Sequence, residues 1–198
     1  MVKIVTILEG EKMKKEIVII DEILGKINYE GEYWRLENSI LMNFNNTKLL
    51  LSVKVHIMYS EFTEYKLGIG DWEEDDFDIE EIEGYDRYQK DIKSIYMYYI
   101  NNLIETTQFI EAIIIKDYNT CTNEMNCSYI QSMVTEEDFK LILESNKNPL
   151  DLVQIKDITL FDDRIRILGS CKWHINNEFG INLYRNHEYS IGNLDVIY

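Results

Sequence analysis

Between Lys48 and Tyr59 the chain alternates. Leu49, Leu51, Val53, Val55, Ile57 and Tyr59 fall on one face of an extended strand, and Lys48, Ser52, Lys54 and His56 fall on the other, wetter face, which Leu50 and Met58 share. From Tyr85 the period changes to that of a helix: Tyr85, Tyr88, Ile92, Ile95, Tyr96, Tyr99 and Leu103 recur at three- and four-residue steps. A half-buried strand and an amphipathic helix in one chain can both bury their apolar faces if helices pack on a sheet. The expected class is therefore α+β.

The remaining segments fill in that frame. Residues 2 to 8 and 16 to 20 are β-branched and apolar and read as a hairpin. Ile23 to Ile27, Tyr33 to Glu37 and Ile40 to Phe44 follow as a short meander, with a turn at Glu30-Gly31. A second helix is expected over about Thr107 to Tyr118, burying Phe109, Ile110, Ile113 and Ile114. Thr135-Glu-Glu-Asp138 resembles a capping box and opens a short helix that ends before Asn148-Pro149. The last fifty residues return to strand, with Ile165, Ile167, Cys171 and Trp173 sharing one face and Ile181 and Leu183 doing so on the next strand. Asn186-His187 reads as a tight turn, and an extra residue near Gly192-Asn193 calls for a β-bulge. No repeat or Pro/Gly/Ser-rich linker interrupts the 198 residues. One domain is expected, a mainly antiparallel sheet from the N- and C-terminal strands with two or three central helices on one face.

From Asp71 to Glu83 nine of thirteen residues are acidic and none is basic, so this block repels itself and should be an exposed loop. It belongs to a chain with 36 acidic and 20 basic residues, a formal net charge of -16. Nucleic acids and anionic membrane surfaces would be repelled, whereas a basic protein would be attracted. No window reaches the roughly 18 apolar residues of a membrane span. The N-terminus lacks the pattern of a signal peptide, and three cysteines do not make a disulfide framework. These features point to the cytoplasm.

Asp71, Glu73 and Asp75 have the spacing of the first ligands of an EF-hand, but Asp76 stands where glycine is needed and Ile82 where a bidentate glutamate is needed. The block reads instead as a solvated loop or, in its functional version, as a protein-docking loop: Asp71, Trp72, Glu73, Glu74, Asp75, Asp76, Phe77 and Asp78, with Trp72 as the leading anchor. Cys171 and His174, three apart on a strand, should point to opposite faces, with Cys171 packing beside Trp173. Cys121 and Cys127 have no nearby histidine and lack the C-x-x-C spacing. His56 and His187 read as surface residues, and Tyr98, off the helical stripe, as the tyrosine of its helix turned to solvent or a partner. No phosphate-binding loop, nucleophile elbow or metalloprotease motif occurs. Neither a metal nor a cofactor is expected.

From about Asp21 onward the order of features resembles an uncharacterised bacterial family, a domain of unknown function met beside polymorphic-toxin genes as candidate immunity proteins. The resemblance is carried by Ile23-Leu-Gly-Lys-Ile27 before Tyr33-Trp34, by the tyrosine-rich central helix, and by Trp173-His-Ile-Asn-Asn-Glu178-Phe-Gly180 with Gly192 in the last strand. Relatives show Trp, two residues and then Glu-His-Gly; here the spacer is four residues and Phe179 stands in place of His. The resemblance implies an α+β cytoplasmic protein whose partner is another protein. A binding module, acting as an immunity protein against a basic toxin, is thus the leading expectation. The alternative is a hydrolase-like enzyme whose site, built around His174 or Glu178, forms only in the fold.

Overall fold

A computed structural model describes residues 2–9, 12–30, 34–56, 85–123, 127–143 and 148–193 of the chain. The strands are β1 (Val2–Glu9), β2 (Lys12–Asp21), β3 (Gly25–Tyr29), β4 (Trp34–Leu36), β5 (Ile40–Phe44), β6 (Thr47–Val55), β7 (Val153–Leu160), β8 (Arg164–Cys171), β9 (Glu178–Tyr184) and β10 (Tyr189–Gly192). The helices are α1 (Tyr85–Ile100), α2 (Leu103–Cys121), α3 (Cys127–Met133) and α4 (Glu136–Leu143), followed by a short 3-10 turn at Pro149–Leu152. They form the mixed α+β fold with helices against a mostly antiparallel sheet.

The sheet runs in the order β1-β2-β3-β4-β6-β7-β8-β9-β10, with β5 attached to β6. Every pairing is antiparallel except β6 with β7, which run parallel from Ser52↔Asp157 to Val55↔Leu160. A parallel pair needs a crossover, and all four described helices lie in the one that joins β6 to β7. β6 buries Leu51, Val53 and Val55 and leaves Leu50 72 % exposed, as its alternation requires. Ile92, Ile95 and Tyr99 of α1 and Ile110, Ile113 and Ile114 of α2 join these residues, with Ile165, Ile167, Ile181 and Leu183, in one core.

Two helix boundaries differ from the sequence expectation. The first long helix stops at Ile100, short of Leu103, because Asn102 and Thr106 turn their side chains to the carbonyls of Tyr98 (2.9 Å) and Tyr99 (3.0 Å). The second therefore begins at Leu103, four residues before Thr107, and its Thr107 hydroxyl is spent on the Leu103 carbonyl at 2.7 Å. α3 has no counterpart in the sequence reading. The positive φ in the β9–β10 turn falls on His187 (φ 62°) rather than on Asn186. A register shift occurs between Ile155 and Asp157, and the expected irregularity after Gly192 reaches the limit of the described residues.

Candidate functional site

β4 and β5 share one edge of β6. Trp34 and Arg35 pair with Val55 and Lys54, and after a short break Ile40 to Phe44 pair with Leu51 to Thr47. β3 continues the sheet beyond β4, whereas among the described residues β5 pairs with β6 alone. The β5–β6 turn is Asn45-Asn46, both left-handed (φ 48° and 59°), the conformation that a two-residue hairpin demands. Such a turn closes on a hydrogen-bonded pair, here Phe44 with Thr47. Phe44, Met42 and Ile40 therefore spend their backbone groups on β6, and Leu41 and Asn43 direct theirs to the open edge.

Beside that edge runs a cleft of about 410 Å³, whose other wall is α2 and whose end is the 3-10 turn. Leu41, Asn43, Ile104, Gln108, Glu111 and Asn148 line it. Leu41 is 56 % exposed and Ile104 77 %. The rim is fixed by hydrogen bonds: Asn45 N–H donates to Glu111 Oε1 (2.6 Å), Asn45 Nδ2 to Asp151 Oδ1 (2.7 Å) and Asn148 Nδ2 to Asn45 Oδ1 (2.8 Å). Neither Lys nor Arg is among the described residues lining the cleft, so its charge is that of Glu111. β5 itself carries no charge and no proline, the usual guards of an exposed strand edge.

A second constellation lies at the far end of α2. Asp117 and Cys121, one helical turn apart, face the same way, and His174 reaches them from the turn that follows β8. His174 Nε2 is 2.7 Å from Asp117 Oδ2, and its Nδ1 is 2.8 Å from Asn193 Oδ1. Trp173 Nε1–H donates to the same Asp117 oxygen at 2.8 Å, and the Cys121 thiol donates to Oδ1 at 3.9 Å. The His174 and Asp117 side chains are only 11 % and 12 % exposed. Burial alone would lower the His174 pKa, but the Asp117 carboxylate and the Asn193 oxygen outweigh it and raise it. Cys121 is pushed up to about 11, first by burial and then by the neighbouring charge of Asp117.

This cluster corrects the sequence reading of Cys121, which has a histidine beside it in space. Cys171 is buried in the core with Trp173, as the sequence suggests, but β8 ends at Cys171 and the chain turns before His174, so the two do not share a strand. Glu178 lies exposed at the start of β9, apart from the His174 contacts described above. Tyr98 is partly buried, its hydroxyl 3.1 Å from His187 Nε2 and its ring edge-on to Tyr99. Asp71, Trp72, Glu73, Glu74, Asp75, Asp76, Phe77 and Asp78 lie outside the described residues.

Among the described residues, the fold and its two sites define an α+β protein with an open β5 edge beside a cleft and a largely enclosed Asp-Cys-His cluster. Comparison with protein-family models, curated proteins and solved structures gave no match. Among the described residues no helix is long and apolar enough to cross a membrane.

Proposed function

We propose that this protein is a cytoplasmic binding module that takes an extended, basic segment of a partner polypeptide along the open edge of β5. In this reading it acts as an immunity protein that neutralises a cognate basic toxin by covering it. The observation that carries the binding role is the unguarded edge itself. Leu41 and Asn43 offer backbone donors and acceptors to an added strand, and exposed Leu41 and Ile104 offer it apolar contact. α2 walls the cleft, which suits a single strand better than the broad edge of another sheet. Glu111 and the net charge of -16 favour a basic occupant. The toxin assignment rests on the resemblance in motif order, with the acidic segment Asp71 to Asp78 as a second contact.

Selection from a randomised peptide display library tests the binding role. The expected winners alternate apolar residues with Lys or Arg, and their binding is lost in Leu41→Pro, which removes an outward N–H and blocks the cleft. Winners without that pattern, or binding indifferent to Leu41→Pro, would remove the edge from consideration. Coexpression with toxic products of adjacent genes tests the immunity role. Reversing the charges of Glu73, Glu74, Asp75 and Asp76 should then slow association and flatten its salt dependence.

A hydrolase reading draws on the meeting of Asp117, Cys121 and His174. The order of contacts does not suit a nucleophile. An activating imidazole stands between thiol and carboxylate, whereas here Asp117 stands between Cys121 and His174 and both ring nitrogens have partners. A hydrolytic activity abolished by Cys121→Ser would reinstate it.

A further inference from the structure

We propose that Asp117, Cys121 and His174 form a binding site for a divalent cation of the zinc class. One carboxylate oxygen, one sulfur and one imidazole nitrogen lie within 4.8 Å of one another. A tetrahedral ion about 2.0–2.3 Å from each ligand asks for ligand separations of roughly 3–4 Å, so small side-chain movements suffice. Asp117 and Cys121 are held in register by α2, and the turn after Cys171 fixes His174, so the three come from two rigid elements.

The surroundings have the form of an outer shell. Asn193 Oδ1, 2.8 Å from His174 Nδ1, accepts that N–H and leaves Nε2 facing the cluster. Trp173 Nε1–H holds Asp117 Oδ2 at 2.8 Å and leaves Oδ1 toward Cys121. Metal-ligating histidines are oriented by a partner on their second nitrogen in this way. On binding, the cation displaces the proton between Nε2 and Asp117 and the thiol proton of Cys121, and both protons pass to solvent. Carboxylate and thiolate together balance the charge of a divalent ion, which a site this enclosed requires. The ligand types select zinc over magnesium or calcium, because sulfur and imidazole are poor ligands for hard ions. Three protein ligands leave a fourth position for water or for a ligand atom of another molecule.

The test uses the full chain, reduced and stripped of metal, titrated with Cd²⁺ as a spectroscopic probe and with Zn²⁺ in competition. One saturable equivalent with a cadmium–thiolate charge-transfer band is expected, displaced by Zn²⁺. Cys121→Ser, close to isosteric, should lose the band and weaken Zn²⁺ binding at least about 100-fold, and Asn193→Ala should weaken it about 10-fold or more while keeping the band. Absence of a band at saturating Cd²⁺ would overturn the proposal. So would a band of equal size in Cys121→Ser, which would assign the ion to Cys127 or Cys171. Should Cys121→Ser not fold, Asp117→Asn carries the same comparison: affinity equal to that of the parent chain removes the site.

Discussion

Gly169 in β8 lies opposite Phe179 in β9, and the Phe179 ring fills the space that a side chain at 169 would need. A β-carbon there would stand 2.5 Å from Cε1 of the ring and 2.6 Å from the carbonyl oxygen of Gln154 on β7. The ring could shift; the β7 backbone could not without breaking its ladder. Gly169→Ala should therefore cost about 1–3 kcal/mol in denaturant unfolding, and adding Phe179→Leu should recover only part of it.

The carboxylate of Asp21 ties the β2–β3 turn to α1. One oxygen accepts the backbone N–H of Ile23 (2.9 Å) and Leu24 (3.0 Å), and the other meets Lys93 Nζ at 2.7 Å. Burial alone would raise its pKa, but Lys93 and the two N–H groups outweigh it and hold the carboxyl below its ordinary value. Because the folded-state pKa is depressed, this stabilisation is complete above about pH 4, the unfolded carboxyl value, and is lost as pH falls through the lower folded one. Asp138 has the same sign: burial alone would raise its pKa, but Lys172 (2.9 Å), Thr135 and Asn177 outweigh it. Urea unfolding between pH 7 and pH 3 should show the loss, and Asp21→Asn should flatten it. Asp21→Ala, which also strips the two N–H groups of their acceptor, should cost more, about 2–3 kcal/mol at pH 7.

Neighbouring residues of β5 should respond differently to proline. Leu41 directs its N–H away from β6 and Met42 directs its N–H into the ladder. Leu41→Pro should keep the circular dichroism spectrum and a thermal midpoint within a few degrees of the parent. Met42→Pro, at a side chain with 0 % exposure, should cost 3 kcal/mol or more. Equal damage from both would show that the edge is not open.

Trp173 combines a buried ring with a hydrogen bond to Asp117. Trp173→Phe keeps most of the ring packing against Tyr118, whose centroid is 5.1 Å away, and removes the N–H. A loss of about 1–3 kcal/mol is expected, and the double variant with Asp117→Asn should lose less than the sum, as partners in one network do.

Where one face of an element is buried and the other wet, the residues betray it. β6 is legible because Leu51, Val53 and Val55 alternate with Ser52 and Lys54, and the α1 stripe through Ile92, Ile95 and Tyr99 is legible for the same reason. The break at Asn101-Asn102 is not, since it depends on side-chain bonds from Asn102 and Thr106 that no periodicity reports. Nor is the open edge of β5, which exists because β3 is aligned with β4 and stops short of β5. Asp117 and His174 stand 57 residues apart in sequence, and their meeting is set by the contact of Asp117 and Tyr118 on α2 with Trp173 and His174, just beyond β8. The i, i+4 spacing of Asp117 and Cys121 on a helical stretch was the one local signal of that cluster.

β6 and β7 meet along four residue pairs, fastened by Lys54 Nζ and Asp157 Oδ2 at 2.9 Å, and every described helix lies between them in sequence. A nascent chain can build its first six strands from local hairpins, yet their exposed seam at Ser52 to Val55 stays open until Val153 to Leu160 have left the ribosome. Closing so large a loop is slow compared with forming a hairpin. Synthesis thus holds the first six strands waiting with an unsatisfied edge, and the interval before β7 arrives is when truncated or stalled chains of this protein are most prone to pair with one another.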